Sequence, residues 1–375
     1  MKVLHICNDY SYSKVYKNLY QELDNHGIEQ IIYHPLRKES NKGKNSFEFK
    51  TQNSKLIYSS FLLKTYHRIL FRVKIRILFK DIKENIDIQS VDVTYATTLF
   101  SDGAIAYQLK KKFGIPYVVA VRSTDVNFFL RYRPDLIPLM QGILQNASKI
   151  IFISKGLRDL FYNHPKIKEI VYRHRENTIV IPNGIENLWL ENLYVNRVQN
   201  HAQNLLFVGR FDTNKNVENV IKALVYLKAD YPNVRLNLVG GGGDKEQLVH
   251  DLIVRHKDWI SYLGYIYDKV ELLHIYRQNN YFIMPSIFET FGLVYIEALS
   301  QGLPVLYTKN QGIDGIFSER IGIGTSPDIE ALVHNLRELL DKDNFDLSSI
   351  DFDSYNWCNI AVDYVDIFEE AIKGC

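Results

Sequence analysis

The chain has 375 residues, 46% hydrophobic and 23% charged, with a formal net charge of +2. That length accommodates two domains, each with its own core, and the composition excludes a disordered, collagenous or disulfide-scaffold protein. Charge is uneven along the chain. Residues 1–190 carry 29 Lys and Arg against 17 Asp and Glu, whereas 191–375 carry 16 against 26, which points the first half toward an anionic surface or polyanion.

Residues 2–7 read as a first strand and lack the apolar length of a signal peptide. Val15, Leu19 and Leu23 then repeat at helical spacing over 15–26. Strand character returns at 91–95, 117–121 and 150–153, with helical stretches between, such as 104–113. The polar stretch 187–203 reads as a linker. After it the pattern restarts, with strands expected at 205–208, 235–239, 260–263 and 281–284. Residues 357–372 are amphipathic. Alternating strand and helix predict a mostly parallel sheet in each half, so the fold class is α/β, with domains at 1–186 and 204–355. No run of 18 apolar residues occurs, so no membrane span is expected. Cys7, Cys358 and Cys375 are too few and too scattered for a disulfide framework or a zinc site, which favours a reducing compartment.

Between positions 55 and 83, eight Lys and Arg face a single acid, Asp81. Lys64, Arg68, Arg72, Arg76 and Lys80 recur every fourth residue, beside an apolar set of Leu62, Tyr66, Ile69, Leu70, Val73 and Ile77. A basic amphipathic helix of this kind suits an anionic membrane surface. Packing of the apolar face on the core, with the basic face solvated, is the alternative. No motif supports nucleic-acid binding.

The most informative stretch is 285–305, PSIFETFGLVYIEALSQGLPV. An apolar strand precedes it, Gly292 marks a turn, and Leu293, Ile296 and Leu299 follow at helical spacing. The backbone N–H groups of Gly292, Leu293 and Val294 then face outward at a helix start, which favours an anion. Glu289 precedes that point and Glu297 lies within the helix. A phosphate between two hydroxyl-binding carboxylates describes a nucleotide-sugar. Upstream, Arg210 and Lys215 follow a strand ending in Val208-Gly209, a spacing that lets two cations converge on one diphosphate. The GGGG run 240–243 also follows a strand, yet it matches neither a dinucleotide fingerprint nor a P-loop.

Taken together, these segments resemble the family-4 retaining glycosyltransferases. Their E-x7-E motif is matched by Glu289 and Glu297, with Phe291, Gly292, Leu293 and Val294 between. Residues 94–103 (TYATTLFSDG), 118–126 (VVAVRSTDV), 181–186 (IPNGIE) and 208–215 (VGRFDTNK) match further family segments in order. The resemblance runs from about residue 1 to 340 and implies a GT-B fold, with two Rossmann-like domains facing a cleft and a final helix, 356–375, returning to the first domain. It implies that Gly209, Arg210 and Lys215 grip the diphosphate, that Glu297 binds ribose hydroxyls, that Glu289 lies near the transferred sugar, and that Gly241 gives backbone clearance beside the nucleotide. The donor would be a UDP- or GDP-sugar, the acceptor lipid-linked or a polysaccharide, and the site cytoplasmic on the inner membrane face, in capsule or O-antigen assembly.

Two departures stand out. Arg122 occupies the position where the family has His, three residues before Asp125, so no general base is assignable there; contact with a charged acceptor and a salt bridge to Asp125 both stay open. The first loop lacks the family's glycines and presents Ser13 and Lys14, which suit either a diphosphate contact or a helix cap. No cofactor and no metal are expected, although 341–343 and 351–353 have the D-x-D form of metal-dependent transferases. The rival readings are a sugar-nucleotide hydrolase or epimerase, and a catalytically silent scaffold subunit.

Overall fold

The computed structural model describes residues 1–195, 202–342 and 344–374, with the Arg68 side chain outside that description. Seven strands form the first sheet: β1 (Lys2–Ile6), β2 (Glu29–His34), β3 (Lys55–Tyr58), β4 (Val93–Ala96), β5 (Tyr117–Val121), β6 (Lys149–Phe152) and β7 (Thr178–Val180). Their order is β3-β2-β1-β4-β5-β6-β7, and the pairs are parallel. Six strands form the second: β8 (Asn204–Gly209), β9 (Arg235–Gly240), β10 (Ile260–Gly264), β11 (Tyr281–Ile283), β12 (Val305–Thr308) and β13 (Gly322–Thr325), ordered β10-β9-β8-β11-β12-β13 and again parallel. Parallel sheets need both faces covered, and β4 and β5 are buried at every position. The α/β expectation of two Rossmann-like domains is what the chain builds.

The chain divides into Met1–Gly184 with Trp357–Cys375, and Ile185–Asn356. The helix Trp357–Lys373 belongs to the first unit, where it puts Trp357, Ile360, Tyr364 and Phe368 into the core with Tyr20, Tyr95 and Val118. Tyr364 meets Tyr95 edge-on at 5.3 Å, a contact that adds about 1 kcal/mol to the area buried. The expected linker 187–203 is corrected over its described part. Residues Asn187–Glu191 form a helix of the second unit, Trp189 is fully buried against Tyr276 at 5.1 Å, and the Tyr194 N–H donates to the Ser300 carbonyl at 2.8 Å. The remainder of that stretch includes residues 196–201, outside the described residues.

In each sheet one pair of central strands has its onward connections running to opposite sides: β1 and β4 in the first, β8 and β11 in the second. Ligands of open α/β sheets gather at the carboxyl ends of such a pair.

Candidate functional site

In the second unit, the loops after β8 and β11 meet at this switch point. The Lys215 ammonium donates to Glu289 Oε2 at 2.7 Å, with the two side chains 24% and 14% exposed. The loop after β8 is fastened from both sides. Asp212 accepts from the Lys215 N–H at 2.9 Å, and Asn214 exchanges bonds with the Phe288 backbone, donating at 2.9 Å and accepting at 3.0 Å. Asn216, left-handed at φ 61°, ends the loop and donates to the Pro285 carbonyl at 3.2 Å and the Pro327 carbonyl at 2.7 Å. Gln311 accepts from the Glu289 N–H at 2.7 Å. The pair is thus held by backbone fastening as well as by mutual attraction.

Gly292 caps the helix Leu293–Ser300 at φ 79°. A Cβ there would stand 2.4 Å from the Tyr295 ring, so backbone hand and space both require glycine. The Tyr295 N–H donates to the Gly292 carbonyl at 2.9 Å, so the first-turn donors that lack a helical acceptor are the ones before it. Phe291 is buried, whereas Leu293 and Val294 are part-exposed at the helix start. Glu297, nearly a turn and a half inside the helix, is buried, and Tyr276 Oη donates to it at 3.4 Å. Burial raises its carboxyl above the ordinary range, with Glu186 pushing the same way and Lys269 opposing. A carboxylate with one long hydrogen bond has spare acceptor capacity for hydroxyl groups.

Arg210 has a different partner: its side chain is 69% exposed, and its Nε lies 3.6 Å from Asp212 Oδ2. Gly209 and Gly240 sit side by side on β8 and β9. A Cβ on Gly240, at φ 117°, would fall 2.0 Å from the Gly209 carbonyl. Gly241 at φ 147° packs beneath Tyr265. The glycine run therefore serves close backbone approach.

In the first unit, Ser13 caps the helix Lys14–Asn25 through its hydroxyl, which accepts from the Val15 N–H at 3.4 Å, and Lys14 is exposed. Arg122 forms no side-chain salt bridge with Asp125. Its Nε donates to the Thr97 carbonyl at 3.1 Å, its Nη2 to Tyr95 Oη at 3.4 Å, and its guanidinium lies 5.7 Å from the Tyr16 ring centre. Asp125 is corrected as a contact residue. It is fully buried, and its oxygens accept from the backbone N–H groups of Leu99, Phe100 and Arg122 at 3.0, 3.1 and 2.8 Å. It ties the loop after β4 to the loop after β5. Burial pushes its carboxyl up to about 6, against the pull of those N–H donors.

The basic stripe is corrected too. Leu70 leaves helical geometry at ψ 53°, and the helix spans Phe71–Asn85. Lys64 caps a separate short turn, Thr65–Arg68. Only Arg72, Arg76 and Lys80 share the helix, all exposed. Its core face is Phe71, Ile75, Leu78 and Ile82. The residues expected to form the apolar face instead point outward, Ile69 at 77%, Leu70 at 50% and Val73 at 42% exposure.

The D-x-D segments are used locally. Asp341 accepts from Tyr231 Oη at 2.7 Å, and Asp351 from the Asp353 N–H at 3.1 Å and Ser354 Oγ at 2.6 Å; Asp343 lies outside the described residues. Sequence reasoning missed Asn214, Asn216 and Gln311, because an amide in a loop carries no signal until its carbonyl partner is known.

Residues 195–350 match the family model described as glycosyl transferases group 1. An uncharacterized glycosyltransferase of Methanocaldococcus jannaschii is 26% identical over 294 residues, covering 72% of this chain and 73% of its own. The alpha-monoglucosyldiacylglycerol synthase of Streptococcus pneumoniae is 26% identical over 253 residues, 62% of this chain and 55% of its own. The crystal structure of Anabaena HepE in complex with UDP aligns with 100% of this chain and 99% of its own, at a TM-score of 0.67 and 17% identity. The fold is GT-B.

Proposed function

We propose that the protein is a retaining, metal-independent glycosyltransferase of the family-4 type, a reading supported by the match of residues 195–350 to the glycosyl transferases group 1 model and by the GT-B fold. It moves a sugar from a UDP- or GDP-sugar to a lipid-linked or polysaccharide acceptor in surface-glycan assembly. The observation that carries this reading is the Lys215–Glu289 pair at 2.7 Å, at the same switch point as the helix start at Gly292. One cation and the N–H groups of a helix start suit a diphosphate; a carboxylate beside them suits sugar hydroxyls. The UDP bound by HepE supports a nucleotide donor. Glu297, buried with one long partner, suits the ribose hydroxyls.

In the proposed reaction the bond from the sugar anomeric carbon to the diphosphate oxygen breaks, and the acceptor oxygen bonds to the same face. The acceptor proton passes to the leaving diphosphate, so no protein base is needed. This agrees with an arginine at position 122. Lys215 stabilises charge as it grows on the leaving group. A lipid-linked acceptor is supported by the likeness to a diacylglycerol-glycosylating enzyme, and by exposed Ile69, Leu70 and Val73 beside exposed Arg72 and Arg76. Apolar side chains flanked by cations suit an anionic lipid surface. Among the described residues no helix is long and apolar enough to cross a membrane, so contact through this patch would be peripheral, on the inner face.

The test is release of nucleoside diphosphate from UDP- and GDP-sugars after metal stripping, in excess EDTA, with and without membrane extract as acceptor source. Acceptor-dependent turnover that survives EDTA supports the reading. Full-rate release of free sugar without acceptor identifies a hydrolase, and activity restored only by magnesium or manganese removes metal independence.

A further inference from the structure

Residues 287–289, between β11 and the helix start at Gly292, belong to no strand or helix, yet each of their backbone polar groups is paired within the protein. The Ile287 N–H donates to the Asn214 carbonyl at 2.7 Å, and the Ile287 carbonyl accepts from Gln311 Nε2 at 2.9 Å. The Phe288 N–H donates to Asn214 Oδ1 at 3.0 Å, and the Phe288 carbonyl accepts from Asn214 Nδ2 at 2.9 Å. The Glu289 N–H donates to Gln311 Oε1 at 2.7 Å, and the Glu289 carbonyl accepts from the Gly312 N–H at 3.0 Å. Surface loops ordinarily leave such groups to water. Ile287 is 45% exposed, so burial does not demand the pairing.

Two side-chain amides supply four of these six bonds. Each acts as the edge of a strand would, offering an N–H and a carbonyl to the chain beside it. They reach the loop from different neighbours, because β11 lies between β8 and β12 in the sheet. Asn214 precedes Lys215 in the loop after β8. Gln311 belongs to the loop after β12, which turns through Asn310 at φ 60° and Gly312 at φ 56°. Thr308 Oγ1, at the end of β12, donates to the Ser286 carbonyl at 2.6 Å and extends the fastening. Glu289 also packs directly on the second loop: a Cβ on Gly312 would stand 3.1 Å from Glu289 Cγ. Ordering a loop this fully costs conformational entropy. A group that acts on a reacting centre has to be held to about 0.5 Å, and a glutamate in a solvated loop is not so held.

We propose that Asn214 and Gln311 are positioning residues that lock the 287–289 backbone, so that the Glu289 carboxylate is held both against Lys215 and toward the sugar being transferred. Asn214 sets the spacing between the Lys215 loop and the Glu289 loop. Gln311 fixes Glu289 from the β12 side. The role in sugar transfer rests on the transferase reading; the clamp does not.

The experiment has two arms, both on the full chain. In the first, amide hydrogen exchange is read residue by residue. The Ile287, Phe288 and Glu289 amides of wild type should be protected. Gln311→Met keeps the side-chain length and removes both of its hydrogen bonds, so the Glu289 amide should lose protection while the melting temperature falls by only a few degrees. Asn214→Ala should free the Phe288 amide in the same way. In the second arm, nucleoside diphosphate release from UDP- and GDP-sugars is followed with membrane extract as acceptor source, and UDP and GDP binding is measured by calorimetry. Gln311→Met and Asn214→Ala should each lower kcat by about tenfold or more and leave nucleoside diphosphate affinity unchanged. Gln311→Glu, which still accepts from the Glu289 N–H, should fall between.

Equal exchange of the Glu289 amide in wild type and Gln311→Met overturns the clamp. Wild-type kcat in Gln311→Met, beside a depressed kcat in Glu289→Gln, overturns the positioning role. Parallel loss of kcat and nucleotide affinity overturns it as well, because that describes a collapsed pocket. If Glu289→Gln keeps wild-type kcat, or wild type turns over no donor, the transferase assignment of Glu289 falls, and protection at 287–289 leaves the clamp standing.

Discussion

Replacing Lys215 with Ala separates the structural value of the ion pair from its value in the reaction. The ammonium lies 2.7 Å from Glu289 Oε2, and the Lys215 side chain is 24% exposed. Water screening at that exposure limits the pair to about 1 kcal/mol of stability. Glu289 retains the Thr290 N–H at 3.1 Å and Ser286 Oγ at 3.5 Å, so the variant should melt only a few degrees lower. In the reaction the same ammonium would face a diphosphate that gains charge as the sugar departs. Losing one preorganised donor of that kind costs about 100-fold in kcat, equivalent to about 2.7 kcal/mol. The kinetic loss should therefore exceed the stability loss by more than a factor of two. The assay is steady-state release of nucleoside diphosphate at saturating donor, well below both melting temperatures. Lys215→Arg, which keeps the charge on a different geometry, should fall between. A folded Lys215→Ala protein with kcat within a few-fold of wild type would refute the assignment.

Glu297→Gln should raise KM for the donor with kcat little changed, because ribose contacts are alike in ground and transition states; initial-rate kinetics with varied donor check this. For Asp125, the folded carboxyl is pushed up to about 6 from an ordinary 3.8. A raised carboxyl binds its proton more tightly when folded, so its contribution is complete below about pH 4 and is lost as pH rises through about 6, to a total of about 3 kcal/mol. Urea unfolding across that window should show wild type losing stability relative to Asp125→Asn; parallel curves would remove Asp125 as the titrating group. Ile69→Asp with Leu70→Asp should abolish sedimentation with anionic vesicles, and Arg72→Glu with Arg76→Glu should weaken it by on the order of 1 kcal/mol per cation; equal sedimentation of wild type and both variants would exclude this patch.

Much of the sheet architecture was legible because its central strands are continuous apolar runs, such as Tyr117–Val121. The strands that escaped notice have physical reasons to. β13 reads GIGT, a poor strand by composition, yet a Cβ on Gly322 would lie 1.9 Å from the Val305 carbonyl, so the pairing with β12 itself demands glycine. β2 carries Gln30 and His34, which look exposed in sequence and are fully buried, His34 bonded to the Cys7 carbonyl at 2.8 Å and Gln30 to the Tyr20 carbonyl at 2.9 Å. The strand–turn–helix around Gly292 was legible because a glycine between an apolar strand and an apolar helix has few other uses. Lys74, buried on the helix Phe71–Asn85, was not. It falls outside the four-residue spacing of its neighbours, and a lysine in a basic helix reads as solvated until its tertiary surroundings are known.

The return of the last helix to the first unit fixes an order of events during synthesis. Residues Ile185–Asn356 form their unit from one unbroken length of chain, so it can close once Asn356 has left the ribosome. The first unit begins earlier but waits longer. Tyr20, Tyr95 and Val118 need Trp357, Tyr364 and Phe368 against them, and those are made only after the second unit is complete. Domains usually complete from the N-terminus as they emerge; here the unit begun first is finished after the second. Until then its sheet presents an uncovered apolar face, so docking of the helix Trp357–Lys373 is the step that completes the first unit's core and closes that face to association.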